Sequence, residues 1–128
     1  MSRKVLAIVE SAYRATLEEQ DDPVLWLTHA LKGAGADIHV LLRGAAVSYG
    51  ARGQDASGLA FGTRAQTQPP QLERDLASLA GKGAKIYLLK EDAATRGLRP
   101  DEVAPGLELI GRDAIPALFR QFDHIWHW

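Results

Sequence analysis

The chain has 128 residues, of which 46% are hydrophobic and 24% charged, a composition typical of a folded globular domain. Lys and Arg total 15 against 16 Asp and Glu, so the net charge of −1 lacks the positive excess of a general nucleic-acid binder. No apolar run approaches the roughly 18 to 20 residues of a membrane-spanning helix. We therefore expect one domain over residues 1–128, with no nucleic-acid and no membrane partner.

The amino-terminal stretch resembles a signal peptide only superficially. Glu10 ends the apolar run Val5–Val9, whereas the apolar region of a signal peptide needs about seven to fifteen residues. We therefore expect a cytoplasmic protein. The sequence also contains no cysteine, which excludes a disulfide, a persulfide carried by this chain and a cysteine nucleophile.

Short apolar runs bounded by charged residues or glycines predict buried strands of a parallel sheet. The predicted strands are Lys4–Val9, Ile38–Leu42, Ile86–Leu89, Leu107–Ile110 and a terminal strand Ile125–Trp128.

Helices are predicted between these strands. Pro23, preceded by two aspartates, begins the first helix, and Pro69 and Pro70 precede the second. Apolar residues at helical spacing mark the inner faces, namely Val24, Leu27 and Leu31; Leu72, Leu76 and Leu79; and Ile115, Leu118, Phe119 and Phe122 in the last helix. The alternation of strands and helices predicts an α/β fold with a mainly parallel sheet of about five strands.

Residues 50–70 show no sustained periodicity and are predicted to form a long loop. A loop of this length in a small domain either contributes to an interface, covers a site or is simply mobile. The sequence leaves these alternatives open.

The common cofactor motifs are absent. Gly33 and Gly35 lie between a helix and a strand, whereas a dinucleotide fingerprint places its glycines after a strand. A Gly-Lys-Ser/Thr phosphate loop is missing, and residues 10–14 do not form the Ser/Thr-rich loop typical of FMN sites. His124 and His127 would point to opposite faces of a strand, so they do not predict a metal site. We expect no cofactor and no metal.

Polar residues follow the ends of three predicted strands. In parallel α/β sheets, ligands bind beyond the carboxyl ends of the strands. The predicted cleft contains Glu10, Ser11, Tyr13, Arg43, Gly44, Leu89, Lys90, Glu91 and Asp92. These side chains either converge on a small anion or a partner segment, or form solvated surface ion pairs.

Parts of the sequence resemble the DsrE/DsrF-like family, which includes the TusD-type sulfur-relay subunits. The similar segments are Ala30–Val47, Lys85–Leu98 and Gly106–Gly111. The resemblance runs over nearly the whole chain. It implies a small flavodoxin-like, three-layer α/β/α fold and assembly as a trimer or hexamer. Active members of that family accept and pass on sulfur as a cysteine persulfide.

The sequence departs from the family pattern at the sulfur-carrying position. That position falls at Leu89, or at Lys90 if the turn shifts by one residue. Neither side chain can carry a persulfide. The resemblance therefore implies the fold and the assembly, while the missing thiol argues against sulfur transfer by this chain.

Three functions remain open from the sequence. The first is a non-catalytic oligomeric scaffold or binding subunit, partnered with a sulfur-carrier protein whose arm enters the cleft near Tyr13, Arg43 and Lys90. The second is a cysteine-independent enzyme with Glu10 as general base, and the third is a small-anion-binding protein.

Exposed aromatic residues are candidates for subunit contacts. Trp126 and Trp128 share one face of the predicted terminal strand, where they would expose a large apolar area. Together with Tyr49 and Phe61, they form the predicted oligomer contact. The alternative is that the two tryptophans are buried beneath a helix of the same chain.

Overall fold

The computed structural model describes residues 3–12, 23–55, 58–67 and 69–128. A five-stranded, all-parallel sheet forms the centre of this part of the chain. Its strands are β1 (Lys4–Val9), β2 (Asp37–Leu42), β5 (Ile86–Leu89), β6 (Leu107–Ile110) and β7 (His124–His127). The spatial order β6-β5-β2-β1-β7 makes β6 and β7 the two edges of the sheet.

Helices follow the strands in alternation, as the sequence predicted. They are α1 (Pro23–Gly33), α2 (Leu72–Gly81), α3 (Lys90–Thr95) and α4 (Ile115–Phe119). Short 3-10 turns occupy Gly44–Gly50, Pro100–Glu102 and Arg112–Ala114. The predicted α/β fold with a parallel sheet is confirmed.

The core has two sides because alternate residues of each strand point to opposite faces of the sheet. On one face, Val40 and Leu88 belong to a cluster with residues of α1, α2 and α3. On the other, Leu6 and Leu41 pack with Leu118 of α4. Both faces are therefore covered, and the sheet is the middle layer of three.

The structure corrects several element boundaries. The inner face of α1 is formed by Val24, Leu25 and Thr28, while Leu27 and Leu31 are only half-buried. The last helix ends at Phe119, so Phe122 lies beyond it and packs edge-on against His39, with ring centroids 5.7 Å apart. A five-residue helix followed by a turn still delivers the predicted apolar stripe to the core.

The predicted loop at 50–70 contains a small antiparallel hairpin, β3 (Ala60–Phe61) with β4 (Arg64–Ala65). Its base is held firmly, since the Gln54 amide donates to three backbone carbonyls and the Asp55 carboxylate accepts from the first N–H groups of α2. At the start of the loop, the Arg52 side chain donates to the Val103 carbonyl and the Gly53 N–H donates to the Glu73 carboxylate.

His39 on β2 forms a hydrogen bond to the residue that precedes β5, and this bond requires one tautomer of the neutral imidazole. Its Nδ1 atom accepts a hydrogen bond from the Lys85 backbone N–H at 2.9 Å, so Nε2 must carry the proton that faces Asp37 Oδ1 at 2.7 Å. Burial lowers the pKa of His39 below its ordinary value of 6.5, although Asp37 acts in the opposite direction. Protonation of Nδ1 would set two N–H groups against each other beside β5.

We expect this histidine to contribute to the pH dependence of stability. Because the pKa of His39 is lower in the folded state, its contribution is complete above pH 6.5 and is lost as the pH falls toward the folded-state pKa. His39→Asn, which keeps an acceptor for Lys85 but does not titrate, should show a weaker loss of unfolding free energy between pH 7.5 and 5 than the wild type. These pH values lie about 1 unit above and about 1.5 units below the ordinary pKa of histidine.

Urea unfolding at several pH values measures this difference. His124→Asn on the exposed strand β7 is the control for loss of a surface histidine, because its imidazole does not join two strands of the core. Equal pH slopes for the wild type and His39→Asn would contradict the interpretation.

Candidate functional site at the carboxyl edge of the sheet

The structure places most of the predicted site residues at one edge of the sheet, where the parallel strands end. Seven of them follow β1, β2 and β5: Glu10, Ser11, Arg43, Gly44, Lys90, Glu91 and Asp92. Tyr13 lies outside the described residues. Leu89 is the last residue of β5 and is only 2% exposed, so it belongs to the buried sheet and does not line a cleft.

Glu10 is the centre of a first polar cluster. Its Oε1 lies 3.5 Å from Arg43 Nε, and its Oε2 lies 3.1 Å from His127 Nε2. All three side chains are roughly half exposed. Residues from the ends of three neighbouring strands, β7, β1 and β2, thus meet at one carboxylate.

The backbone around Glu10 is fixed by hydrogen bonds between these strands. The Glu10 N–H donates to the Trp128 carbonyl, and the Ala46 N–H donates to the Glu10 carbonyl, each at 3.1 Å. Arg43 is held in the same way, since its N–H donates to the Val9 carbonyl at 3.0 Å. The cluster is therefore positioned by the sheet itself.

Gly44 allows Glu10 to approach the turn that follows β2. Its φ of +57° is a left-handed conformation that favours glycine, and a Cβ placed there would lie 2.9 Å from Glu10 Cγ. The Gly44 N–H donates to Asp92 Oδ2 at 2.7 Å. This single glycine therefore connects the Glu10 cluster to α3.

A second polar cluster lies at the start of α3. The Glu91 carboxylate accepts two contacts from the Arg112 backbone N–H, at 2.9 and 3.1 Å, and this hydrogen bonding lowers the pKa of Glu91. The Arg112 guanidinium lies 3.4 Å from Asp92 Oδ1. The predicted strand-end loop at these residues is thus the first turn of a helix, stabilised by contacts to the turn after β6.

The charges at this edge are almost fully paired. Arg43 pairs with Glu10 and Arg112 with Asp92, whereas the Lys90 ammonium makes neither a hydrogen bond nor an ion pair with the part of the chain that the structure describes. Lys90 is exposed, and its Nζ would lie 3.5 Å from a Cβ at Gly111. Lys90 is therefore a cation of the described part of this edge that remains available to an anionic ligand.

An apolar groove of about 300 Å³ begins at Lys90. It passes between α3 and the edge strand β6, and its lining is almost entirely apolar. The wall includes Ala93, Leu98, Val103 and Leu109, and the two charged residues of the lining are Lys90 and Glu91. The arrangement suits an apolar chain segment that ends in, or carries, a negative charge.

Sequence reasoning missed two members of these clusters. From the sequence, His127 is considered only as a metal ligand, and Arg112 is not considered. The signal for His127 was present, since the rule that ligands gather beyond parallel strands applies to the fifth strand as well as to the first three. Arg112 contributes mainly its backbone N–H, which no side-chain pattern can indicate.

The predicted oligomer contact divides into exposed and buried residues. Trp126 on the edge strand β7 and Trp128 directly after it are each 39% exposed, and Phe61 is exposed on the small hairpin. Tyr49 is 1% exposed and belongs to the core cluster, which corrects its assignment as a contact residue. It lies in the 3-10 turn Gly44–Gly50, whose inner side packs on the sheet.

The described residues contain no group of three or more His, Asp or Glu side chains that could hold a metal ion. Within the same ranges, every helix is too short or too polar to cross a bilayer.

Comparisons with known proteins identify the fold. No family model and no curated protein matches the chain. Among solved structures, the chain is similar to the ychN protein from E. coli, with a TM-score of 0.75 and 19% identity over 98% of this chain and 99% of that chain. It is also similar to MTH1491, a protein of unknown function from Methanobacterium thermoautotrophicum, with a TM-score of 0.60 and 15% identity over the same shares. At these identities the likeness establishes a common α/β fold over essentially the full length.

Gly44→Ala should destabilise the protein more than a glycine substitution elsewhere. A left-handed backbone costs a residue with a Cβ about 1 kcal/mol, and the close approach to Glu10 should raise the total to about 2 kcal/mol. Gly97→Ala is the matched control, because Gly97 also has a positive φ but a Cβ there meets nothing within 4 Å. Urea unfolding measures both losses, and equal losses would contradict a tight contact between Gly44 and Glu10.

Proposed function

We propose that this chain is a non-catalytic DsrE-like subunit, a homo-oligomeric scaffold that binds the sulfur-carrying segment of a partner protein. The binding site is the apolar groove that begins at Lys90. The observation that carries this proposal is Lys90 in the lining of that groove, exposed and without an ion pair among the described residues.

The chemistry of the groove supports a partner's thiolate or persulfide as the ligand. Such an anion is stabilised by a neighbouring cation, and Lys90 occupies or adjoins the position where the family resemblance places a cysteine. A resident thiol is replaced here by a positive charge and the buried side chain of Leu89. The chain is thereby suited to hold sulfur carried by another protein and unsuited to carry it.

The apolar wall supports a peptide segment rather than a free inorganic anion. A small anion would need several convergent N–H or hydroxyl donors, whereas the charged residues of this lining are one lysine and one glutamate, Lys90 and Glu91, among mostly apolar side chains. An extended segment can bury its own apolar side chains against Ala93, Leu98 and Leu109 while its anion meets Lys90. Because the groove suits a peptide segment, we propose that the protein takes part in sulfur relay by binding a sulfur-carrying partner.

We expect Lys90→Gln to weaken capture of a persulfide-bearing protein. The purified full-length chain serves as bait in extract from the native source, and captured persulfides are labelled with a thiol-selective tag. Loss of one exposed charge contact should lower the yield about fivefold, equivalent to about 1 kcal/mol. Added salt should lower the wild-type yield in the same direction, because this contact is exposed.

Lys85→Gln is the matched control. Lys85 is an exposed lysine that precedes β5, so it lies at the opposite edge of the sheet from Lys90. This variant should capture as much labelled protein as the wild type. The proposal would be contradicted by equal yields from the wild type and both variants, or by the absence of a persulfide-bearing protein from all three.

A second candidate function is supported by the contact between Glu10 and His127. When Nε2 donates to the carboxylate, Nδ1 keeps its lone pair, and a carboxylate-oriented imidazole of this kind serves as a general base in many enzymes. Arg43 would then hold a negative charge on the substrate. This geometry supports a cysteine-independent proton-transfer enzyme as the alternative.

A ligand screen followed by turnover assays separates the candidates. Small carboxylates and phosphates are tested by thermal shift, where a ligand at about 100 times its dissociation constant adds about 2.7 kcal/mol to stability. For an enzyme, His127→Gln should lower turnover of the selected ligand by about 100-fold or more while binding persists. Binding without turnover in the wild type would instead indicate a small-anion-binding protein.

A further inference from the structure

The edge strand β7 lacks the usual protection against pairing with another strand. Exposed edges are normally guarded by charged residues, proline or a bulge. The opposite edge, β6, carries Glu108, whereas β7 consists of His124, Ile125, Trp126 and His127. Three exposed apolar residues, Ile125, Trp126 and Trp128, lie along this unguarded edge.

The outer main-chain groups of β7 are also available for pairing. Trp128 turns both of its groups toward β1, because its N–H donates to Ile8 at 2.9 Å and its carbonyl accepts from Glu10 at 3.1 Å. Orientation alternates along a strand, so the N–H and C=O groups of Ile125 and His127 point away from β1. The structure gives those outward groups no partner among the described residues.

We propose that β7 pairs antiparallel with β7 of a second copy of this chain, about a two-fold axis at Trp126. The proposal rests on the homo-oligomer proposed above and specifies one of its contacts. In this register Ile125 and His127 of one copy exchange hydrogen bonds with His127 and Ile125 of the other. Both outward-facing residues of each strand are then satisfied by the same two residues of its symmetry mate.

The side chains favour the same register. Trp126 lies opposite Trp126 of the second copy, and His124 lies opposite Trp128, all in non-hydrogen-bonded pairs whose side chains approach closely. One face of the joint therefore becomes a continuous row of aromatic pairs. Because no Asp, Glu, Lys or Arg lies within β7, no like charges oppose each other along this row.

Pairing would also complete the edge cluster with a residue of the second copy. Ile125 of that copy lies directly across from His127 and on the same face of the sheet, since opposed residues in an antiparallel pair share a face. The imidazole that contacts Glu10 would thus be covered by an apolar side chain from the neighbouring subunit. A two-fold contact of this kind joins two trimers into a hexamer and is absent from a lone trimer.

The absence of native cysteines makes this contact directly testable by crosslinking. Trp126→Cys gives one thiol per chain, at a position where the Cα separation of about 4.5 Å across the axis permits a disulfide. Under mild oxidation this variant should form covalent dimer about tenfold faster than Trp26→Cys, whose thiol can meet another only by random collision. Trp26 on α1 is the more exposed of the two tryptophans, which makes it a stringent control.

A mixture of two variants tests the register while keeping Trp126 in place. His124→Cys and Trp128→Cys should each crosslink poorly alone and should form a covalent heterodimer when mixed, because residue 124 faces residue 128 of the other copy. The proposal is overturned if the mixture crosslinks no more than its components. It is likewise overturned if Trp126→Cys crosslinks no faster than Trp26→Cys.

Light scattering separates failure of this contact from failure of the proposed assembly. Ile125→Lys should halve the solution mass of the wild-type oligomer, whereas Leu109→Lys, of matched exposure on β6 (36% against 38%), should leave it unchanged. A wild-type protein that is only monomeric would overturn both proposals. An oligomer whose mass is unaffected by Ile125→Lys would overturn only the pairing through β7.

Discussion

The central strand β1 is hydrogen-bonded on both sides and buried on both faces, and the positions of the remaining elements follow from this. It pairs in parallel with β2 along its whole length and with β7 over Val5 to Ile8. Because the three strands run in the same direction and in register, their carboxyl ends emerge side by side. Glu10 therefore lies between Arg43 and His127 because of the strand register alone.

Charge pairing at this edge limits what it can do chemically. A carboxylate already shared between a guanidinium and an imidazole is held in place, and the exposed pairs contribute little to stability. Lys90 differs because its ammonium forms no ion pair with the described residues and because it lines an apolar groove. On the proposed function, Lys90 would recognise a partner's anion, while the Glu10 cluster is held in a fixed arrangement at the strand ends.

The strands were predictable from sequence because β1, β2 and β5 are fully buried and appear as uninterrupted apolar runs. The helix α3 was not predictable in this way, since its six residues bury only Ala93 and show no helical periodicity. Tyr49 illustrates the complementary error, because an aromatic residue in an apparent loop can be buried by a 3-10 turn that packs on the sheet. The sequence predicted which side chains lie at the strand ends. It could not predict how they pair, because the pairing depends on backbone contacts of Gly44 and Arg112.

If β7 pairs with a second copy as proposed, the same short strand takes part both in the subunit contact and in the Glu10 cluster. Its inner main-chain groups bond β1, its outer groups would bond a second copy, and His127 contacts Glu10 within the same strand. A ligand that changed the Glu10–His127 contact would shift the strand that joins the two copies. By thermodynamic reciprocity, assembly would change the affinity for that ligand by the same factor.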